Sequence, residues 1–132
     1  MKILVLGNIN SKWVKEYIEY VLIPLGHDVE VLGNGNICKY TAFYQSNGVT
    51  IHSEKSAGRL VRKIPFLRVL ISVSHIVKEN HWNDYDVIIN LFVNYRNLCI
   101  TRRIMSPKTK TVVYYTGSDL LRTGTAKILL NR

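Results

Sequence analysis

The chain opens on a continuous β-prone run, Lys2 to Leu6, in which apolar positions follow one another without alternation. A run of that kind is covered on both faces, as in a parallel sheet. After the polar residues Asn8, Asn10 and Ser11 the spacing changes. Val14, Tyr17, Ile18, Val21 and Leu22 recur at i, i+3, i+4, i+7 and i+8, the stripe of a helix with one buried face, and Pro24 with Gly26 closes it. Asp28 to Leu32 is the next strand, so the first thirty or so residues predict a strand–helix–strand unit, whose crossover is right-handed in nearly every known case.

From Gly33 to Gly48 the chain is rich in Gly and Asn and shows neither period, which predicts a loop. Val49 to His52 is a short third strand. Next, a short helix near Ala57 to Lys63 is separated by Pro65 from a longer one reaching about Glu79, with Phe66, Val69, Leu70, Val73, Ile76 and Val77 on its buried face. Asp86 to Leu91 is a buried fourth strand, Tyr95 to Met105 a helix and Thr111 to Tyr115 a fifth strand, after which Gly117 to Asp119 turn into a last helix. The sum is an α/β chain: a Rossmann-like, doubly wound parallel sheet of about five strands in the order 3-2-1-4-5, forming one domain over residues 1–132. Ligands of such sheets bind beyond the carboxyl ends of the strands where the order reverses. Here that places a site at Gly7 to Lys12 and Phe92 to Arg96, with Thr116 to Asp119 beside them.

Composition narrows the partners. With 47% apolar and 20% charged residues the chain is neither disordered nor fibrous. Its formal charge of +9 is uneven: five cations and no acid lie from Arg59 to Lys78, and eight cations with the single acid Asp119 from Arg96 to Arg132. That field favours an anionic partner, such as an acidic membrane or a phosphorylated substrate, although a basic surface also serves solubility alone. Nucleic acid has only the charge in its favour, with no recognition motif, and no nucleic-acid partner is expected. Cys38 and Cys99 stand far apart without a CxxC or Cys/His cluster, which excludes a disulfide framework and suits a reducing cytoplasm. The apolar start is too short for a signal peptide or a membrane span.

Several chemistries fail on motif grounds. A dinucleotide site needs GxGxxG after the first strand and an acid after the second, whereas the chain has GNINSK and Gly33-Asn34. A phosphate-receiving domain needs carboxylates to hold magnesium where Asn8, Asn10 and His52 stand. TGTAK near Lys127 lacks phosphate-loop spacing. None of His27, His52, His75 and His81 forms a metal-ligand pair, and no cofactor is expected. The turn YYTGSDLLR carries more: Gly117 allows a sharp bend, and Ser118 with Asp119 either caps the following helix or presents Asp119 to a polyhydroxylated ligand.

Four segments in order, MKILVLGN, LGHDVEVLG, NDYDVIINLF and VVYYTGSDLLR, together resemble the N-terminal domain of GT-B glycosyltransferases of the retaining family-four type, over Lys2 to about Arg122. The resemblance implies half of a two-domain architecture. This half would bind the acceptor, and a C-terminal domain outside this chain would hold the nucleotide-sugar. By the same resemblance Gly7 and Asn8 approach the donor phosphates and Gly117, Ser118 and Asp119 line the acceptor side, with Asp119 as the catalytic candidate; Asn94 and Thr116 join the acceptor side because they follow strands at the same end of the sheet. A His common near this turn is replaced by Tyr115 and Thr116, so no catalytic His carries over.

The expectation is therefore an acceptor-binding half that transfers a sugar from a nucleotide-sugar to a cell-surface glycan or lipid-linked acceptor, cytoplasmic, and inactive without its donor domain. The alternative is a non-catalytic Rossmann-like module for a small anion or a protein partner. Arg59, Arg62, Lys63 and Arg68 flank Ile64, Pro65, Phe66 and Leu67, a pattern that suits an anionic inner membrane face, where each cation contributes on the order of 1 kcal/mol. The same apolar spacing also suits a helix packed on the sheet, with its cations in solvent.

Overall fold

A computed structural model describes residues 1–33, 39–52, 70–71, 73–74, 77–78, 85–91 and 95–114. Five strands, β1 (Lys2–Leu6), β2 (Asp28–Leu32), β3 (Thr50–His52), β4 (Val87–Asn90) and β5 (Lys110–Val113), form one sheet in the order β3-β2-β1-β4-β5. Every pairing is parallel, with Leu4 opposite Glu30 and Ile88, and Leu6 opposite Leu32 and Asn90. The fold is the expected Rossmann-like α/β sheet, and its order matches the sequence reading.

β1 is central, which explains its unbroken apolar run. Ile3 and Val5 point into one core layer with Val14, Ile18, Val31 and Tyr44, while Leu4 and Leu6 point into a second with Leu32, Ile88, Val73 and Ile100. Helices α1 (Lys12–Tyr17) and α2 (Thr41–Ser46) belong to the first layer; α3 (Tyr95–Ile104) belongs to the second. The described residues within 70–78 are helical, as the sequence predicts, and Val73 and Val77 pack on the second layer, whereas Leu70 is exposed.

Three local differences have physical causes. α1 continues into a π-helical turn, Ile18–Leu22, closed by the Ile23 N–H on the Ile18 carbonyl at 3.0 Å. The wider turn keeps Val14, Ile18 and Leu22 buried but leaves Val21 40% exposed, off the face its spacing suggested.

The second difference is α2, which lies inside the stretch read as a loop. Its six residues are too few to show a period, and burial of Tyr44 stabilises it. It is closed by Gly48, which at φ 70° receives the turn while the Val49 and Gly48 N–H groups bond the Tyr44 and Gln45 carbonyls at 2.9 and 3.2 Å. Third, β5 begins at Lys110 and β4 at Val87, each one residue from the expected start. The helix expected near Ala57 to Lys63 and the one expected after Asp119 lie outside the described residues.

Candidate functional site

In a parallel sheet all carboxyl ends share one edge, so the loop after β1, Gly33 after β2, His52 at the end of β3, Leu91 after β4 and Tyr114 after β5 stand along the same side. The β1 loop is the best-defined part of this edge. Asn8 is exposed; its Oδ1 accepts the Asn10 N–H at 3.1 Å and its carbonyl accepts the Ser11 N–H at 2.9 Å, a tight polar turn leading into α1. Gly7 is buried against Leu91 and Val14, and a methyl group there would make ordinary contact with both.

Two anchors hold this loop from β2 and α2. Ile9 is fully buried across Gly33, where a Cβ would overlap its side chain. The Tyr44 hydroxyl donates to the Ile9 carbonyl at 3.3 Å, and the Lys39 N–H donates to Asn10 Oδ1 at 2.7 Å. The helix that sequence reading missed thus braces the site loop.

Across the edge, Trp13 on the first turn of α1 meets Tyr114 beyond β5, with ring centroids 5.5 Å apart and planes inclined by 44°. Tyr17, one turn along, stacks on Trp13 at 6.5 Å. The Trp13–Tyr17 spacing was visible in the sequence, but nothing in it links residues 13 and 114. Beneath β4, Asn90 is fully buried and its Nδ2 donates to Thr101 Oγ1 at 3.0 Å, while that hydroxyl donates to the Asn97 carbonyl at 2.8 Å. The order of donors fixes the amide orientation and leaves Asn90 Oδ1 without a hydrogen-bond partner.

A titratable cluster crosses the other face. The Glu30 carboxylate, 13% exposed, accepts from the Tyr85 hydroxyl and from His52 Nε2 at 2.8 Å, and the Lys2 ammonium lies 3.1 Å from its second oxygen. Burial works to raise the Glu30 carboxyl pKa, but hydrogen bonds from Tyr85, His52 and Lys2, with the Lys2 charge, outweigh it and hold the group below its ordinary value. Burial first, then the hydrogen bond to Glu30 and its charge, push the Tyr85 phenol far upward, so it stays a neutral donor. Because an ionised carboxylate only accepts, His52 Nε2 carries the hydrogen. Of this cluster only His52 stands at the carboxyl edge.

Of the residues proposed from sequence, Gly7 and Asn8 are placed in the β1 loop. Asn94, Thr116, Gly117, Ser118 and Asp119, and the basic residues Arg59, Arg62, Lys63 and Arg68, lie outside the described residues. Among the described residues no group of three or more His, Cys, Asp and Glu side chains could hold a metal ion, and no helix is long and apolar enough to cross a membrane. A shallow depression lined by Gln45, Gly48, Val49, Thr50 and Ile51 opens at the amino end of β3, away from the β1 loop. Fold and edge together define a Rossmann-like α/β domain whose β1, β4 and β5 carboxyl ends lie side by side at the point where the strand order reverses. No protein-family model matches the chain, and comparison with curated proteins finds no match.

Proposed function

We propose that the chain is the acceptor-binding, N-terminal half of a GT-B glycosyltransferase, acting on a cell-surface glycan or lipid-linked acceptor and receiving the sugar from a nucleotide-sugar held by a second domain. The observation that carries the reading is the braced, polar Gly7–Ser11 turn at the reversal point of a five-stranded parallel sheet, the place where such folds receive ligands. Added to it is the resemblance of four ordered segments to this family. In this reading Gly7 lets the backbone approach the donor phosphates beside Asn8, and Asn94 with Thr116 to Asp119 faces the acceptor, Asp119 serving as the catalytic carboxylate. Arg59, Arg62, Lys63 and Arg68 hold the domain against the anionic inner membrane face.

Transfer needs groups that stabilise the leaving diphosphate as charge develops, and this reading assigns those to the partner domain. The 132-residue chain, given UDP-glucose, UDP-N-acetylglucosamine or GDP-mannose with a polyprenyl-diphosphate-linked sugar, is expected to release no UDP or GDP, and in equilibrium dialysis to retain the lipid-linked sugar above the free nucleotide-sugars. Turnover by the chain alone that disappears in Asp119→Asn, or retention of the nucleotide-sugars in preference, overturns the assignment. For the membrane, sedimentation with phosphatidylglycerol vesicles should fall with salt and in an Arg62→Glu, Lys63→Glu, Arg68→Glu triple variant. Equal recovery with phosphatidylcholine vesicles rejects that part.

A further inference from the structure

We propose that Trp13 and Tyr114 form a stacking platform for a neutral pyranose ring of the acceptor, a role that rests on the glycosyltransferase reading and names residues it did not contain. The two rings come from opposite ends of the described chain and meet at 5.5 Å on the edge where the sheet receives ligands. Neither joins a core layer: Trp13 is 43% and Tyr114 51% exposed, so their contact leaves much of both rings in water. A contact that served only to clasp α1 to β5 gains most by burying its rings. At 44° the planes are not face to face, so neither ring fully covers the other.

Charge selects the ligand class. Although the chain is strongly basic, the cations of α1 beside the platform are matched by carboxylates one turn on, Lys12 by Glu16 at 3.5 Å and Lys15 by Glu19. A nucleotide or diphosphate therefore finds little unmatched positive charge on this helix, whereas the C–H face of a sugar needs only the aromatic surface.

The test uses the 132-residue chain with maltopentaose and chitopentaose as saccharide probes and uridine as a flat, neutral heterocycle, read by saturation-transfer NMR and tryptophan fluorescence. At least one pentasaccharide should bind through its ring C–H protons. Trp13→Leu and Tyr114→Leu keep apolar bulk without an aromatic face and should weaken it about tenfold or more, while Trp13→Phe should stay within about threefold. Melting curves of the Leu variants identify any loss that is only unfolding, and in that case Trp13→Gln and Tyr114→Ser are read in place of the variant that unfolds. Saccharide binding unchanged in both substituted proteins overturns the platform and leaves the acceptor-half reading standing. Uridine binding with both saccharides silent overturns the platform, and the acceptor-half reading then stands or falls on retention of the lipid-linked sugar.

Discussion

On the face that carries α1 and α2, the sheet meets apolar side chains: Ile3, Val5, Val29, Val31 and Ile89 pack with Val14, Ile18, Leu22 and Tyr44. On the opposite face the same strands present Leu4, Leu6 and Ile88 beside Glu30, His52 and Asn90, with Lys2 and Tyr85 bonded into the polar set. The first face is held by a non-directional effect that grows with buried area. Sliding β2 by two residues would still turn apolar groups towards it, because the side-chain period is two. On the second face Glu30 bonds at once to Lys2 on β1, His52 on β3 and Tyr85 before β4, and directional bonds to three elements admit one register. One face supplies stability and the footing of the site loop; the other specifies alignment.

The sharpest way to break this comparison is to remove mass from the apolar face. Ile18→Ala, at a fully buried position, should cost about 2–5 kcal/mol in urea unfolding. A loss no larger than that of the polar-face variants would mean that the division of labour is wrong. Glu30→Ala comes next at roughly 1–3 kcal/mol, because it strips a partner from buried Tyr85 and from His52. It should also weaken amide protection in β3 more than in β5, as seen by hydrogen exchange; uniform loss would deny it a registering role.

The same carboxylate gives a pH signature. Its folded pKa lies below the ordinary value, so its contribution is complete above an unfolded pKa of about 4.3 and is lost as pH falls through the folded one. Glu30→Gln should flatten the acid limb of a melting-temperature profile and leave the region near neutrality parallel to the parent.

Gly33→Ala tests the link between the apolar face and the site. The added methyl displaces Ile9, at roughly 1–2 kcal/mol, and should shift the NMR signals of Gly7 to Ser11 more than those of β5. Unmoved β1-loop signals would show that Ile9 adapts without carrying the turn. The smallest effect is expected at Asn90→Leu, within about 1 kcal/mol, since Thr101 keeps its bond to the Asn97 carbonyl and an unpartnered carbonyl oxygen disappears. A larger loss would reveal that Asn90 orders the end of β4 beyond the bonds described.

Sheet membership, strand order and which loops share the carboxyl edge of the sheet were all determined by the sequence. Unbroken apolar runs mark strands buried on both faces, and right-handed crossovers then leave few orders for five parallel strands. The edge loop at Gly7 and Asn8 follows from that order alone. Tertiary structure decided what brackets that loop. α2 exists because Tyr44 finds a buried place and a carbonyl at Ile9, contacts 35 residues apart that no local period reports. Glu30, one of two acids in β2, became the centre of a four-residue network only when β1, β3 and the Tyr85 approach were laid beside it. Trp13 and Tyr114 likewise carry no mutual signal along the chain. Local spacing records which face of its own element a side chain occupies; which distant side chain shares that face is set by strand order and helix placement, and those are properties of the whole fold.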